Sequence, residues 1–487
     1  MTTRAHAGGF TFAAPGAVPM GRGGAAFARV EPALAGWMNP ALLADVGLPE
    51  IEIGTNLAIY QPCVQRSGTY GDNVPSTDTN NDRLTIFGRF GDYRDEPFPK
   101  SCADGSPGVI PYLMTSLRLH DDVGLGFGIF PPLGTARLSW GDSVRNAAGE
   151  LRPQPVRYNF VEQSGRLIRG VVSLGYRPSP YVAIGAGFVW GATLIETTIH
   201  QVFFGGEEPS QDLESNVRAS DRFIPGVLGS IHINAHPNLD VMLFFHWLDA
   251  SRADGRLRLT SGVYGTSEPS SGVPETIRAD GVRVTTPQPR ELRMAIRYAD
   301  RRSLEPTERR DPLHDERWDL EFVVGYERTG HIDDFLAEVP DGNTIDIVSR
   351  DADGVIRRIA DQTVRTETRV PKGFRDQLAL YLGSDVVAVP DRLALRAGLS
   401  FETRGIDTNL AQTDFQPTRR FGIHAGLTLR MGPIDVSLAY MHVFQESVTA
   451  DPGELIQEVT IGSGRIVNGG RYTMRFDALA LAITGRR

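Results

Sequence analysis

From about residue 109 onward the chain keeps returning to one pattern: an alternating stretch of roughly 9–12 residues, a turn signal, then another such stretch. Alternation of period two sends successive side chains to opposite faces of a strand. Trp318, Leu320, Phe322, Val324 and Tyr326 alternate with Asp319, Glu321, Val323, Gly325 and Glu327. Leu393, Leu395, Ala397, Leu399 and Phe401 alternate with Ala394, Arg396, Gly398, Ser400 and Glu402, and Phe421, Ile423, Ala425, Leu427 and Leu429 with Gly422, His424, Gly426, Thr428 and Arg430. Each strand therefore has one greasy face and one face of Gly, Ser, Arg, Glu and His. A soluble sandwich also alternates, but its polar face meets bulk water and is rarely so rich in Gly. The mixture suits the lumen of a barrel whose other face meets lipid.

Composition agrees. Gly (53) and Pro (32) are 85 of 487 residues, about 17%, against a usual roughly 12%, and both weaken helix interiors. The longest charge-free stretch, Pro178 to Ile195, carries two prolines and three glycines, whereas a spanning helix needs about 20 mostly apolar residues. Lys100 and Lys372 are the only lysines, the net charge is −9 and no basic run exists, which argues against nucleic acid as a partner.

Fourteen candidate strands follow: 51–60, 109–119, 123–131, 157–177, 181–199, 222–234, 239–259, 282–299, 316–330, 374–388, 391–404, 417–430, 433–446 and 471–485. Short turns alternate with long connections, apart from a longer one at 300–315. Turns at one end and long loops at the other are the signature of a bacterial outer-membrane barrel, and an even count lets the sheet close antiparallel with no edge in lipid. The expected fold is thus all-β, a 14-stranded antiparallel transmembrane β-barrel over residues 49–487. In 471–485, Tyr472, Met474 and Phe476 keep one phase and Leu479, Leu481 and Ile483 the other, which predicts a bulge or a face packed on both sides.

Cys63 and Cys102 flank a polar segment rich in Gly, Asn and Asp, a setting for a disulfide that ties off an exposed loop in an oxidising compartment; two free thiols are the alternative. In residues 1–7, Ala5-His6-Ala7 has the A-x-A form of a signal-peptidase site, without the apolar region of a secretory signal before it. A trimmed signal or a start assigned too far downstream would account for this. Residues 8–48 do not alternate. They are small and apolar, with a helix-like patch near Ala33 to Leu43, and are expected to form a hatch inside the lumen.

At this point the sequence resembles a family. Gly16 through Ala26, with Gly21-Arg22-Gly23-Gly24-Ala25 inside it, followed by Asn39-Pro40-Ala41, looks like the N-terminal signature of the FadL-type outer-membrane transporters of long-chain fatty acids and other hydrophobic compounds. Val123 to Pro132 resembles the family's third strand. Ser173 to Pro178 with Ile184 to Gly187 resembles its central hairpin, and Leu395 to Leu399 resembles a later strand. The resemblance implies passive uptake through an occluded barrel: an apolar loop-built site, a hatch that shifts, and a kinked third strand that opens the wall sideways. It also implies a bacterial outer-membrane location, lipid around the barrel, a monomer, and a hydrophobic ligand such as a fatty acid, detergent or hydrocarbon. Long polar loops at 61–108 and 331–373 leave the ligand open, aromatic hydrocarbons included.

On this reading the ligand-contact candidates are Phe10, Phe12, Phe127, Phe130, Trp140, Phe203 and Phe204, with packing or an aromatic girdle as the plainer reading. The hatch and gating candidates are Gly21, Gly23, Gly24, Asn39, Pro40, Ala41, Gly124, Gly126 and Gly128. The last three share one strand face, where bare backbone leaves room for a ligand path or for the hatch, unless they serve barrel curvature alone. Lumen arginines such as Arg293, Arg297, Arg396 and Arg430 suit either a ligand carboxylate or pairing with Glu321 and Glu402. No H-E-x-x-H, C-x-x-C or G-x-S-x-G is present, so neither a metal, a cofactor nor catalysis is expected. A Ser/His pair brought together only by the fold would escape such a search. A closed scaffold or receptor barrel is the other alternative.

Overall fold

The computed structural model describes residues 16–72, 84–104, 107–130, 137–202, 207–264, 276–302, 311–350, 356–364, 366–414, 416–457 and 465–486. Within them, fourteen antiparallel strands form a ring: β1 (Glu50–Arg66), β2 (Gly108–His120), β3 (Val123–Phe130), β4 (Glu162–Ser179), β5 (Val182–Gln201), β6 (Leu213–His236), β7 (Leu239–Leu248), β8 (Arg290–Arg301), β9 (Glu316–Arg328), β10 (Gln377–Val389), β11 (Leu393–Glu402), β12 (Arg420–Met431), β13 (Ile434–Gln445) and β14 (Gly470–Arg486). Each pairs with the next. β14 returns to β1 in unbroken register from Glu50↔Arg486 to Arg66↔Gly470, so the ring of strands closes with no free edge strand.

The period-two pattern sets the faces. Asp319, Glu321 and Val323 are fully buried inside, while Trp318, Leu320 and Phe322 stand more than 40% exposed outside. Leu395, Leu399, Phe421 and Ile423 are outside as well, with Arg396, Glu402 and His424 inside. Of the two readings of 471–485, a bulge or a face packed on both sides, the bulge is absent, because the β1–β14 register never shifts. Tyr472, Ala478, Ala480 and Ala482 are all buried on the inner face, and Leu479, Leu481 and Ile483 are exposed on the outer one. Inner-face residues are large where they meet loops and tiny where they meet residues 17–38, which imitates a change of phase.

Two expected strands are broken. The stretch at 239–259 becomes β7 plus Ser251–Ser261, and 282–299 becomes Thr276–Thr286 plus β8. Pro287 and Pro289 cause the second break, since neither donates to a ladder.

Residues 16–46 lie inside the ring as a short helix α1 (Ala17–Gly21), a second α2 (Pro32–Met38) and a 3₁₀ turn (Pro40–Asp45). α1 packs on β11 to β14, α2 on β1 to β4, and the 3₁₀ turn on β2 to β6, so the segment crosses the interior. Residues 1–15, with Ala5-His6-Ala7, fall outside the described residues.

Candidate functional site

Three glycines align across neighbouring strands: Gly124 opposite Gly175, and Gly175 opposite Gly185. They form a side-chain-free trough on the inner wall, and the 3₁₀ turn lies in it. A Cβ at Gly124 would sit 1.8 Å from the Leu43 carbonyl oxygen, one at Gly175 2.3 Å from the Pro40 oxygen, and one at Gly185 2.2 Å from the Pro40 carbonyl carbon. Gly126 meets Gly36 Cα in the same way, at 2.9 Å, whereas a Cβ at Gly128 would meet Met114 of β2. Asn39 caps α2 and docks it: its amide donates to the Phe27 carbonyl at 2.7 Å, and its oxygen accepts from the Ser230 hydroxyl at 2.7 Å. The Ala41 N–H donates to the same hydroxyl at 2.9 Å, and Pro40 opens the 3₁₀ turn.

On the opposite wall Gly23 and Gly24 turn with φ of +66° and +90°, backbone that glycine adopts freely. A Cβ on Gly23 would strike the Leu399 backbone, and one on Gly21 the Arg396 side chain. Between them Arg22 is fully buried. Its guanidinium reaches Asp319 and Asp385, each at 2.8 Å, and Glu321 at 3.3 Å. Glu321 also accepts the N–H groups of Phe27, Ala28 and Arg29 at 2.7–3.1 Å. Arg297 pairs with Asp319 at 2.7 Å and with Asp240 at 3.3 Å, Arg396 with Asp385 at 3.3 Å, and Arg430 with Asp435 at 2.8 Å. The lumen arginines named from sequence are thus engaged with lumen acids.

Above this packed half lies a cavity of about 1110 Å³. One side is aliphatic, with Val217 of β6, Leu257, Leu259, Val282, Val284 and Leu336. The other is polar, with Tyr60, Ser400, Glu402, Arg420, His424 and Lys372. Lys372 is buried, bonds Asp414 and Gln412, and lies 4.8 Å over the Phe335 ring and 5.4 Å over Phe160. Loop residues Tyr158, Val202, Leu455 and Val467 form the roof.

The cavity reaches the wall where β3 stops. β2 pairs with β3 only from Leu113 onward, so Gly108–Tyr112 bond to β1 alone among the described residues. β4 faces Phe130 at Arg169 and Arg137 at Ser164, with residues 131–136 between them outside the described set. Gly108, Ile110, Gly165, Arg166 and Leu167, which flank this place, all line the cavity.

The aromatic candidates separate. Phe127 is 43% exposed on the outer face, one residue out of phase with the glycines, so it points away from the lumen. Phe130 is buried edge-on against Trp37 at 4.4 Å, beneath the cavity and not on its lining. Trp140 packs with Val64, Val156, Val448 and Tyr472 in a loop cluster, also off the lining. Phe10, Phe12, Phe203 and Phe204 lie outside the described residues. Cys63 and Cys102 are bonded, in register between β1 and the short strand Ser101–Cys102. Sequence reasoning missed the aliphatic wall and Lys372. The pointers were the alternating apolar positions Leu257 and Leu259, Val282 and Val284, and a lysine in an arginine-dominated chain.

No family model and no curated protein matches the chain. Solved structures do. A FadL homologue of Pseudomonas aeruginosa superposes with a TM-score of 0.69 at 14% identity over 98% of this chain and 99% of that one. The toluene transporter TodX of Pseudomonas putida gives 0.62 at 13%, over 97% and 98%. The toluene transporter TbuX of Ralstonia pickettii gives 0.56 at 13%, over 97% and 98%. At such identities the likeness is one of architecture, and in architecture the described residues have the FadL-type fold.

Proposed function

We propose that this protein is an outer-membrane channel for the passive uptake of hydrophobic small molecules, long-chain fatty acids above all. The observation that carries the reading is the cavity. It is roofed by loops, closed below by residues 16–46, apolar along one whole side, and it reaches the wall where β3 ends. A ligand would partition into it at roughly 25 cal/mol per Å² of apolar surface buried and leave sideways between β2 and β4 toward lipid, with the segment at 8–48 acting as a hatch. The similar toluene transporters support the general class and keep aromatic hydrocarbons as the alternative ligand. The outer belt, with Leu320, Phe322, Leu395 and Ile423 exposed, fits a monomer surrounded by lipid. On this reading the protein is not an enzyme.

A scaffold or receptor barrel with a hatch that never opens draws on one observation, the bolting of Arg22 to three acids. Uptake of labelled oleate and labelled toluene into cells with and without the gene separates the readings. Gene-dependent entry of oleate is expected, toluene alone would move the ligand to the alternative, and equal entry in both strains for both compounds would sink the channel.

A further inference from the structure

His424 touches both the cavity and the inner segment. Its Nδ1 lies 2.9 Å from the Met20 carbonyl oxygen of α1, and its Nε2 lies 2.9 Å from the Ser400 hydroxyl. Both His424 and Ser400 line the cavity, and His424 is 6% exposed. Gly422 makes the contact possible, because a Cβ there would stand 2.3 Å from Ser400 Oγ and 2.6 Å from His424 Nε2.

The partners fix the tautomer. A carbonyl oxygen only accepts, so Nδ1 carries the proton and donates to Met20. Nε2 is therefore bare and accepts from Ser400. In this state the imidazole holds α1 to the wall.

We propose that His424 is a relay that reads the chemical class of the occupant of the cavity and passes it to residues 17–24. The proposal rests on the channel reading and deepens it. A ligand whose polar end is a hydrogen-bond acceptor, such as a carboxylate, can bond Nε2 only if Nε2 carries the proton. The imidazole proton then leaves Nδ1 and another arrives at Nε2 through water, with none gained or lost. Nδ1 now turns a lone pair toward the Met20 oxygen, and the bond that held α1 becomes a repulsion. Ser400 keeps its hydroxyl proton and rotates to serve the ligand. A pure hydrocarbon has no acceptor, so it fills the aliphatic side and leaves the contact intact. His424 is thus a positioning residue for the inner segment that answers to acceptor-bearing ligands.

Hydrogen exchange on the full chain in detergent tests this, with oleate and toluene as probes. The protected amides of Met20, Arg22, Gly23 and Gly24, all bonded within the segment, are the readout. Losing one hydrogen bond predicts exchange about threefold to tenfold faster with oleate, and no change with toluene. His424→Asn is the key variant, because its amide nitrogen stands where Nδ1 stands and can donate to Met20, while no atom of it reaches the place of Nε2. It should keep basal exchange near that of the wild type and abolish the oleate response, while His424→Ala should raise exchange without ligand. An equal response to toluene, or an intact oleate response in His424→Asn, overturns the relay. Oleate bound, by displacement of a fluorescent fatty acid, without any change in exchange overturns the relay alone. No binding of oleate overturns the relay and moves the ligand to the hydrocarbon alternative, and no binding of either oleate or toluene overturns the channel reading as well.

Discussion

Replacing Arg22 by Met removes a charge but keeps most of the side-chain length, and so isolates what the guanidinium does. It serves Asp319 and Asp385 at 2.8 Å, Glu321 at 3.3 Å and the Ala25 carbonyl at 2.7 Å, with no exposure to solvent. Asp319 retains Arg297, and Asp385 retains Arg29 and Arg396. Glu321 loses its ion pair in the Arg22 cluster and keeps the three backbone donors of residues 27–29. Breaking a buried pair from one side costs about 3–5 kcal/mol. At about 1.4 kcal/mol per decade, the detached state of the inner segment should gain roughly a hundredfold to a few thousandfold in population. Hydrogen exchange in the full chain reads this directly. Amides of residues 17–29 should lose protection by that factor while β4, β5 and β6, which do not touch Arg22, keep theirs. Adding Glu321→Gln, which removes the stranded charge yet still accepts from the backbone, should recover part of the loss. Exchange within twofold of wild type, or an equal loss across the barrel, would refute the claim that this cluster holds the segment.

Val217→Trp with Val284→Trp, both projecting into the cavity, should cut oleate uptake at least tenfold with the barrel's thermal transition unmoved; unchanged uptake would place the ligand path elsewhere. Gly124→Val forces a side chain onto the Leu43 backbone, with an expected cost of about 1–3 kcal/mol or more, seen as faster exchange in residues 40–45. Reducing the Cys63–Cys102 bond, whose sequence separation is 39, removes roughly 4 kcal/mol of loop constraint in the chain-entropy picture, so proteolysis within 64–101 should quicken while the barrel stays intact. Glu96 is held below the ordinary carboxylate range by the hydrogen bonds from Arg152. Its contribution is therefore full above the free carboxylate pKa and fades as pH falls below it, and acidification should loosen residues 84–98 in an exchange experiment; loosening only on raising the pH would contradict this.

The barrel was legible because a wall one residue thick writes both of its environments into alternate positions, as Trp318 to Glu327 do. The inner segment was legible as an exception to that rule, and the Asn39-Pro40 turn and the glycine face of β3 both fall where backbone meets backbone. The phase at β14 misled because an inner face changes from Tyr472 to Ala482 as its neighbour changes from loop to the inner segment. The cavity was harder. Its lining comes from loops and from the upper reaches of β6 and the Ser251–Thr286 hairpin, residues far apart in sequence that share no local pattern. Phe127 points outward because it alternates with the inward-facing glycines of the same strand. The Ser400–His424–Met20 chain joins three segments, and no spacing announces it.

The trough of Gly124, Gly175 and Gly185 has a mechanical consequence. Two surfaces that interlock through side chains must climb over one another to slip, and each step strains rotamers. A peptide backbone laid in a groove of bare backbone meets no such teeth. It is confined sideways by the neighbouring side chains, and along the groove it is held by a few polar contacts, those of Asn39 and Ala41 with Ser230 and of Asp45 with Arg177. Lengthwise, the grip on the 3₁₀ turn is thus a matter of a few hydrogen bonds and of Arg22 at the far end of the segment, and not of interlocked side chains.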